Sequence, residues 1–238
     1  MSTTGHRALS FLAARAWSRA GAVAQVLVAH PARRSFPLVT RFALLLVGSA
    51  AIGCAIAVMV WNDLGPGPLD VLVVAIRDRT GLGLAVAMWL TIGVLVVIAA
   101  LIGRAPGAGT LLAPILIGPV AQVVLERLDD GAPSGSIGVR LLIHLAAIGV
   151  AGIGAATIII AGLGAGTGEL LATAAADRSG HSEPRVRLAF EAAFVVVGVL
   201  LGGPIGVGTV LFVAVIGQAV AFGYRLVDRA TAPLRSSG

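Results

Sequence analysis

Leu64-Gly65-Pro66-Gly67-Pro68-Leu69-Asp70 returns 99 positions later as Leu163-Gly164-Ala165-Gly166-Thr167-Gly168-Glu169. A glycine-rich break followed by a carboxylate, used twice in one chain, decides how the rest is read. At the same offset Asp78-Arg79-Thr80-Gly81 returns as Asp177-Arg178-Ser179-Gly180, and Gly107-Ala108-Gly109-Thr110 as Gly206-Val207-Gly208-Thr209. Gly103 corresponds to Gly202, Gly118 to Gly217 and Arg41 to Arg140, so residues 63–128 align without a gap on 162–227. A unit duplicated in this way, in a very apolar chain, implies a membrane protein of two homologous halves, an organisation found in many transporters.

The composition agrees. Of the 238 residues 58% are apolar and 12% charged, and the mean hydropathy is +0.99, far from a soluble globular composition. Phe42–Trp61, Leu82–Gly103, Thr110–Leu125, Leu141–Ala161 and Thr209–Tyr224 are free of acidic and basic residues apart from His144, and Leu188–Gly203 carries the single acid Glu191. Each run approaches or exceeds the roughly 17–25 residues that cross about 30 Å of hydrocarbon. Any one of them could be a buried core helix, but no polar shell remains to cover six. The fold expected is therefore an all-α polytopic membrane protein with about six full transmembrane helices plus two short ones.

All seventeen basic residues are arginine. With the abundant Ala, Gly and Val, this usage points to a high-GC bacterial genome. A pI near 11.3 raises the question of nucleic acid, but the arginines sit at the ends of apolar runs, as the positive-inside rule requires. No nucleic-acid partner is expected; the lipid bilayer is. Cys54 is alone inside the first apolar run, so no disulfide framework exists.

The chain divides into a basic extension at 1–40, a first membrane repeat at 41–128, a linker at 129–139, a second repeat at 140–227 and a tail at 228–238. The extension, with Arg7, Arg15, Arg19, Arg33 and Arg34 among apolar residues, reads either as an amphipathic segment on the anionic inner leaflet or as a cytoplasmic extension without structure. Each half reads long helix, Gly-rich break, short helix, long helix, Gly-rich loop, long helix. The first half gives Phe42–Trp61, a short helix Leu69–Ile76, Leu82–Ile102 and Thr110–Leu128. The second gives Arg140–Ile160, a short helix Thr167–Ala176, Arg187–Leu201 and Thr209–Val227.

The short helices, about 12–15 Å long at 1.5 Å per residue, are too short to span alone. If they return to the side they left, there are six crossings and inverted repeats, with thirteen arginines inside and Arg77, Arg79, Arg127 and Arg140 outside. If each break and short helix together complete a crossing, there are eight crossings and parallel repeats, with only Arg104 outside. Charge favours eight, apolar length six; the length argument is followed. Both counts put the N- and C-termini inside.

The order and spacing of Leu64-Gly65-x-Gly67-Pro68-x-Asp70, Arg79-Thr80-Gly81-Leu82, Gly103-Arg104-x-Pro106-Gly107-x-Gly109-Thr110 and Ile117-Gly118 resemble the bacterial YczE/YitT-like integral membrane proteins. The resemblance covers about residues 40–227, and Leu69 stands where relatives commonly carry an aromatic residue. It implies a protein of the bacterial cytoplasmic membrane and no settled activity.

Asp70 and Glu169 are the first candidates for a substrate or ion site, with Gly67 and Gly166 in the breaks before them. A break at membrane depth frees carbonyls and helix ends for an ion or a charged substrate group, and paired acids can carry protons or Na⁺. The plainer use of an acid there is to complement the helix dipole. Thr110 and Thr209, closing the two Gly-x-Gly-Thr motifs, mark either anion-binding helix ends or simple N-caps.

Glu191 should pair with Arg187 one turn earlier, be protonated or face a cavity. His144, Gln122 and Gln218 serve interhelical hydrogen bonding or line a substrate path. Asp78-Arg79 and Asp177-Arg178 read as interfacial ion pairs ending the short helices. His6, His30, His144 and His181 have no metal-ligand spacing, and no catalytic motif appears, so neither a metal, a cofactor nor an enzymatic activity is expected.

Two functions remain open. One is a small-molecule or ion permease with its site between the repeats; the other is a non-transporting accessory, regulatory or scaffold subunit with a membrane partner.

Overall fold

The computed structural model describes residues 36–128, 135–164 and 166–235. Most of the basic extension, the centre of the linker and the end of the tail lie outside the described residues, and the expectations for them with it. The described residues form eight helices: α1 Leu38–Trp61, α2 Pro68–Thr80, α3 Leu84–Leu101, α4 Ala108–Leu125, α5 Ile137–Ala161, α6 Thr167–Ser179, α7 Glu183–Leu200 and α8 Val207–Arg235. No strand occurs among them.

Five helices are long and apolar enough to cross a membrane: α1, α3, α4, α5 and residues Val207–Ala232 of α8. The sixth long helix, α7, fails on composition because Glu183, Arg185, Arg187 and Glu191 fall in its first half. Those charges also explain why α7 starts earlier than the apolar run alone predicts. A helix end at the headgroups tolerates charges that the hydrocarbon does not.

The first helices of the two halves run antiparallel. Arg41, near the start of α1, donates from Nε to the carbonyl of Ala161 (2.8 Å) and from its terminal nitrogen to that of Gly162, at the end of α5. Arg140, near the start of α5, donates to the carbonyls of Asn62 and Asp63 at the end of α1. A cation at a helix C-terminus satisfies orphan carbonyls and complements the dipole. Both pairs use residues 99 positions apart. Between them the backbones cross closely: a Cβ at Gly48 would lie 2.7 Å from the carbonyl oxygen of Gly154, and one at Gly154 2.8 Å from that of Gly48. With no apolar solvent force to join helices in lipid, such small-residue contacts hold them together.

Two further helices flank this pair. α4 lies parallel to α1, where Gly53 faces Ile117 and Val120, and α8 lies parallel to α5, where Gly152 faces Ala219. From Arg41 to Asn62 the core rises about 30 Å at 1.5 Å per residue, the thickness of the hydrocarbon. The core is packed by Met59, Val73, Val74, Met88 and Ile148, all nearly free of exposure.

The short helices settle the number of crossings. α1 ends beside the start of α8. α3 begins beside the end of α4, where the Ala85 amide donates to Gln122 Oε1 (3.1 Å). Both places lie at the same end of the core, so α2 returns to the side it left and does not complete a crossing. α2 packs on the end of α7 and α6 on α3, each short helix thus against the other half. The short helices are longer than expected, thirteen residues each. Their stop signals are Gly81 and Gly180, in left-handed conformations at φ 71° and 70°, rather than the Asp-Arg pairs.

Those Asp-Arg pairs also do not form within themselves. Asp78 pairs with Arg77 (2.7 Å) and Asp177 with Arg104 (2.6 Å), while Arg79 Nε donates to the carbonyl of Leu201.

Single cysteines at Thr80 and at Ser179, each in a Cys54→Ser background, test this topology. A membrane-impermeant maleimide applied to intact cells should label one of them and reach the other only after permeabilisation. Labelling of both from the same side would overturn the antiparallel arrangement.

Candidate functional site

The two breaks occupy opposite ends of the core, and each is completed by the other half. Leu64 O accepts from the Gly208 amide (2.6 Å) at the start of α8, and Leu163 O accepts from the Gly109 amide (2.8 Å) at the start of α4. The approach is close: a Cβ on Gly65 would lie 2.5 Å from Thr209 Oγ1, and one on Gly164 2.9 Å from Thr110 Oγ1. The four glycine motifs found in the sequence therefore meet in two places, the first break on the second Gly-x-Gly-Thr and the second break on the first. A helix N-terminus offers unpaired amides, and an unwound segment offers unpaired carbonyls, so each satisfies the other.

At the first break this leaves a buried polar cluster. Asn62, the residue that caps α1, donates from Nδ2 to the Arg140 carbonyl (2.9 Å) and contacts His144 Nδ1 at 3.3 Å. The His144 ring lies against Gly208, where a Cβ would fall 2.6 Å from Nε2. Asn62 and His144 are fully buried and Thr209 nearly so. Among the described residues Asn62 Oδ1, Arg140 Nε and Thr209 Oγ1 lack a hydrogen-bond partner, and His144 has the backbone of Gly208 beside its ring. Buried polar groups are normally paired, and each left unmade costs about 1–3 kcal/mol. Such a cluster can receive a water or a polar group of a solute.

The second break keeps the arginine and the threonine, as Arg41 and Thr110, but lacks the Asn–His pair. Ala161 stands where Asn62 does and Leu45 where His144 does, and Thr110 Oγ1 accepts from the Gly107 amide (3.3 Å). The expectation that Thr110 and Thr209 are N-caps is corrected here. Gly107 is the cap of α4, Thr110 reaches back to it from the third position, and Thr209 Oγ1 has no such bond.

The remaining candidates fall into separate places. Asp70 sits in the first turn of α2 with Oδ2 near Gly67, and no arginine pairs with it among the described residues. Glu169, in the first turn of α6 beside Gly166, is at the other end of the core. It is drawn together with Glu191 by Arg187, which pairs with Glu191 at 3.1 Å and Glu169 at 3.7 Å. Gln122 Nε2 donates to Glu126. Reading the sequence missed Asn62, Arg41 and Arg140 as site-forming residues. The equal offset of the two arginines was the available signal, while Asn62 has no polar counterpart to reveal it. No group of three His, Cys, Asp or Glu able to hold a metal occurs among the described residues.

The helices and their breaks define a polytopic α-helical membrane protein. Within that class the chain belongs to DUF6198, a family of unknown function, whose model matches twice, at residues 9–126 and 123–225. The first match takes in much of the basic extension, which lay outside the resemblance read from the motifs. An uncharacterized protein of Haemophilus influenzae strain Rd is 29% identical over 186 residues, covering 78% of this chain and 84% of that protein. No solved structure matches.

The double substitution Asn62→Ala with His144→Leu gives the first break the residues found at the second. It removes one orphaned atom, Asn62 Oδ1, worth about 1 kcal/mol or more, together with the ring that packs on Gly208. Thermal unfolding of the purified protein should therefore shift by no more than a few degrees, in either direction. A loss of ten degrees or more would make the cluster a structural element and not a site.

Proposed function

We propose that the chain is a permease for a small molecule or ion, its halves forming an inverted repeat in the bacterial cytoplasmic membrane. The observation that carries this reading is the reciprocal seating of each break on the last helix of the other half. An antiparallel pair of halves with one mouth at each end can exchange roles, so that closing one mouth opens the other. Asp70 guards one mouth and Glu169 the other, instead of sharing one site at mid-depth. The orphaned oxygens of Asn62 and Thr209, with the His144 ring beside them, would meet the solute at the first mouth. No enzymatic chemistry forms part of this proposal.

The arginines support an orientation. Arg77, Arg79, Arg127 and Arg140 lie towards one end of the core, and Arg41, Arg104, Arg178, Arg185, Arg187, Arg225 and Arg229 towards the other. By the positive-inside rule the second end faces the cytoplasm, with both termini. The resemblance to YczE/YitT-like proteins is compatible with this assignment.

Cysteine pairs test the exchange of mouths: Asp63→Cys with Val207→Cys at one end, Gly162→Cys with Ala108→Cys at the other, each in Cys54→Ser. Oxidising one pair should raise maleimide labelling of a single cysteine at the opposite mouth at least threefold. Equal labelling before and after oxidation would sink the permease reading. It would favour the second one, a non-transporting subunit, for which α8 offers the surface, since most of its spanning residues are half-buried or exposed within the chain.

A further inference from the structure

The two halves differ most where α3 packs on α4 and α7 should pack on α8. In the first half the interface is closed. Trp89 Nε1 donates to the Pro114 carbonyl (3.0 Å), and a Cβ on Gly118 would lie 3.1 Å from that same nitrogen. At the corresponding positions stand Leu188, Val213 and Gly217, and α7 and α8 hardly touch. The indole that fills the first interface is missing from the second, and a cleft of about 530 Å³ takes its place. It runs from Pro68 and Thr209 at the first break to Leu188 and Glu191. Its walls are chiefly aliphatic, and its volume is that of a small-molecule site.

Charge selects the occupant. Arg187 is shared by two carboxylates, Glu191 at 3.1 Å and Glu169 at 3.7 Å, so the group carries one negative charge more than positive. Arg187 engages Oε1 of Glu191, whose side chain is 23% exposed and borders the cleft. One arginine neutralises only one of the two carboxylates, and a cation that brings its own apolar surface supplies the missing charge at the edge of the cleft. The outer faces of both helices are apolar and exposed, with Val196, Val199 and Val210 among them, so entry is sideways from the bilayer.

We infer that the α7–α8 cleft binds a lipophilic monovalent cation, its charge beside Glu191 and its apolar body in the space that Trp89 fills in the other half. This gives the permease reading a substrate class and rests on that reading only for movement; binding is a separate property. An anionic phospholipid would bring the wrong charge to Glu191.

The probe is tetraphenylphosphonium, with its anionic isostere tetraphenylborate in separate titrations, measured by equilibrium dialysis against the full-length protein in detergent. Saturable binding of the phosphonium, at least tenfold tighter than of the borate, is the expected result. Glu191→Gln and Leu188→Trp should each weaken it at least tenfold, whereas Val94→Trp, on the lipid face of α3, should leave it unchanged. Equal binding of the two ions, phosphonium binding that survives both Glu191→Gln and Leu188→Trp in variants eluting as the wild type does, or no saturable binding overturns the inference. If one variant fails to fold, the other decides. Binding that meets these terms without phosphonium flux in proteoliposomes leaves the inference standing and removes the permease reading.

Discussion

Both breaks of this protein depend on one exchange of hydrogen bonds. Leu64 gives its carbonyl to the start of α8, and Leu163 gives its carbonyl to the start of α4. In lipid there is no water to take up the groups that a helix end exposes, so a break in a membrane helix persists only where protein supplies the partners. Here the partner always comes from the other half. Remove that exchange and α1 would end in unpaired carbonyls while α8 began in unpaired amides. The arginine clamps extend the same logic by one turn, Arg41 and Arg140 closing the helix ends that the amides do not reach.

Much of this architecture is legible in the residues. The offset of 99 positions, the two breaks and the long apolar runs predict the order of the helices, whereas the return of the short helix α2, which length favoured and the arginines opposed, is read from where its neighbours begin and end. The helix ends are less legible. Asp78-Arg79 looks like a terminus because charges usually stop an apolar helix, yet the backbone turns only at Gly81, where φ becomes positive. α7 looks shorter than it is because its opening turns are charged. The site is the least legible part. Asn62 and His144 meet across 82 residues and have Ala161 and Leu45 as counterparts, so no periodicity or repeat marks them.

The departures from two-fold symmetry are where chemistry has collected. A perfectly repeated unit would have either two polar breaks or none, and two closed outer interfaces or none. Instead the first break holds the Asn–His pair and the second does not, while the outer interface of the first half is filled by Trp89 and that of the second is open. Thr209 belongs to both asymmetric places: it backs onto Gly65 in the polar cluster and borders the cleft between α7 and α8. A change of conformation in the first turn of α8 would be felt at both.

The reciprocal seating also orders assembly in time. Synthesis proceeds from the N-terminus, so the carbonyl of Leu64 emerges long before Gly208 exists to bind it. The second break is different: Gly109 is already in place when Leu163 arrives. Between those two moments the first half has crossed the membrane with an unfinished end at the very position that later holds Asn62, His144 and Thr209. The polar cluster thus cannot close before the final helix has been made.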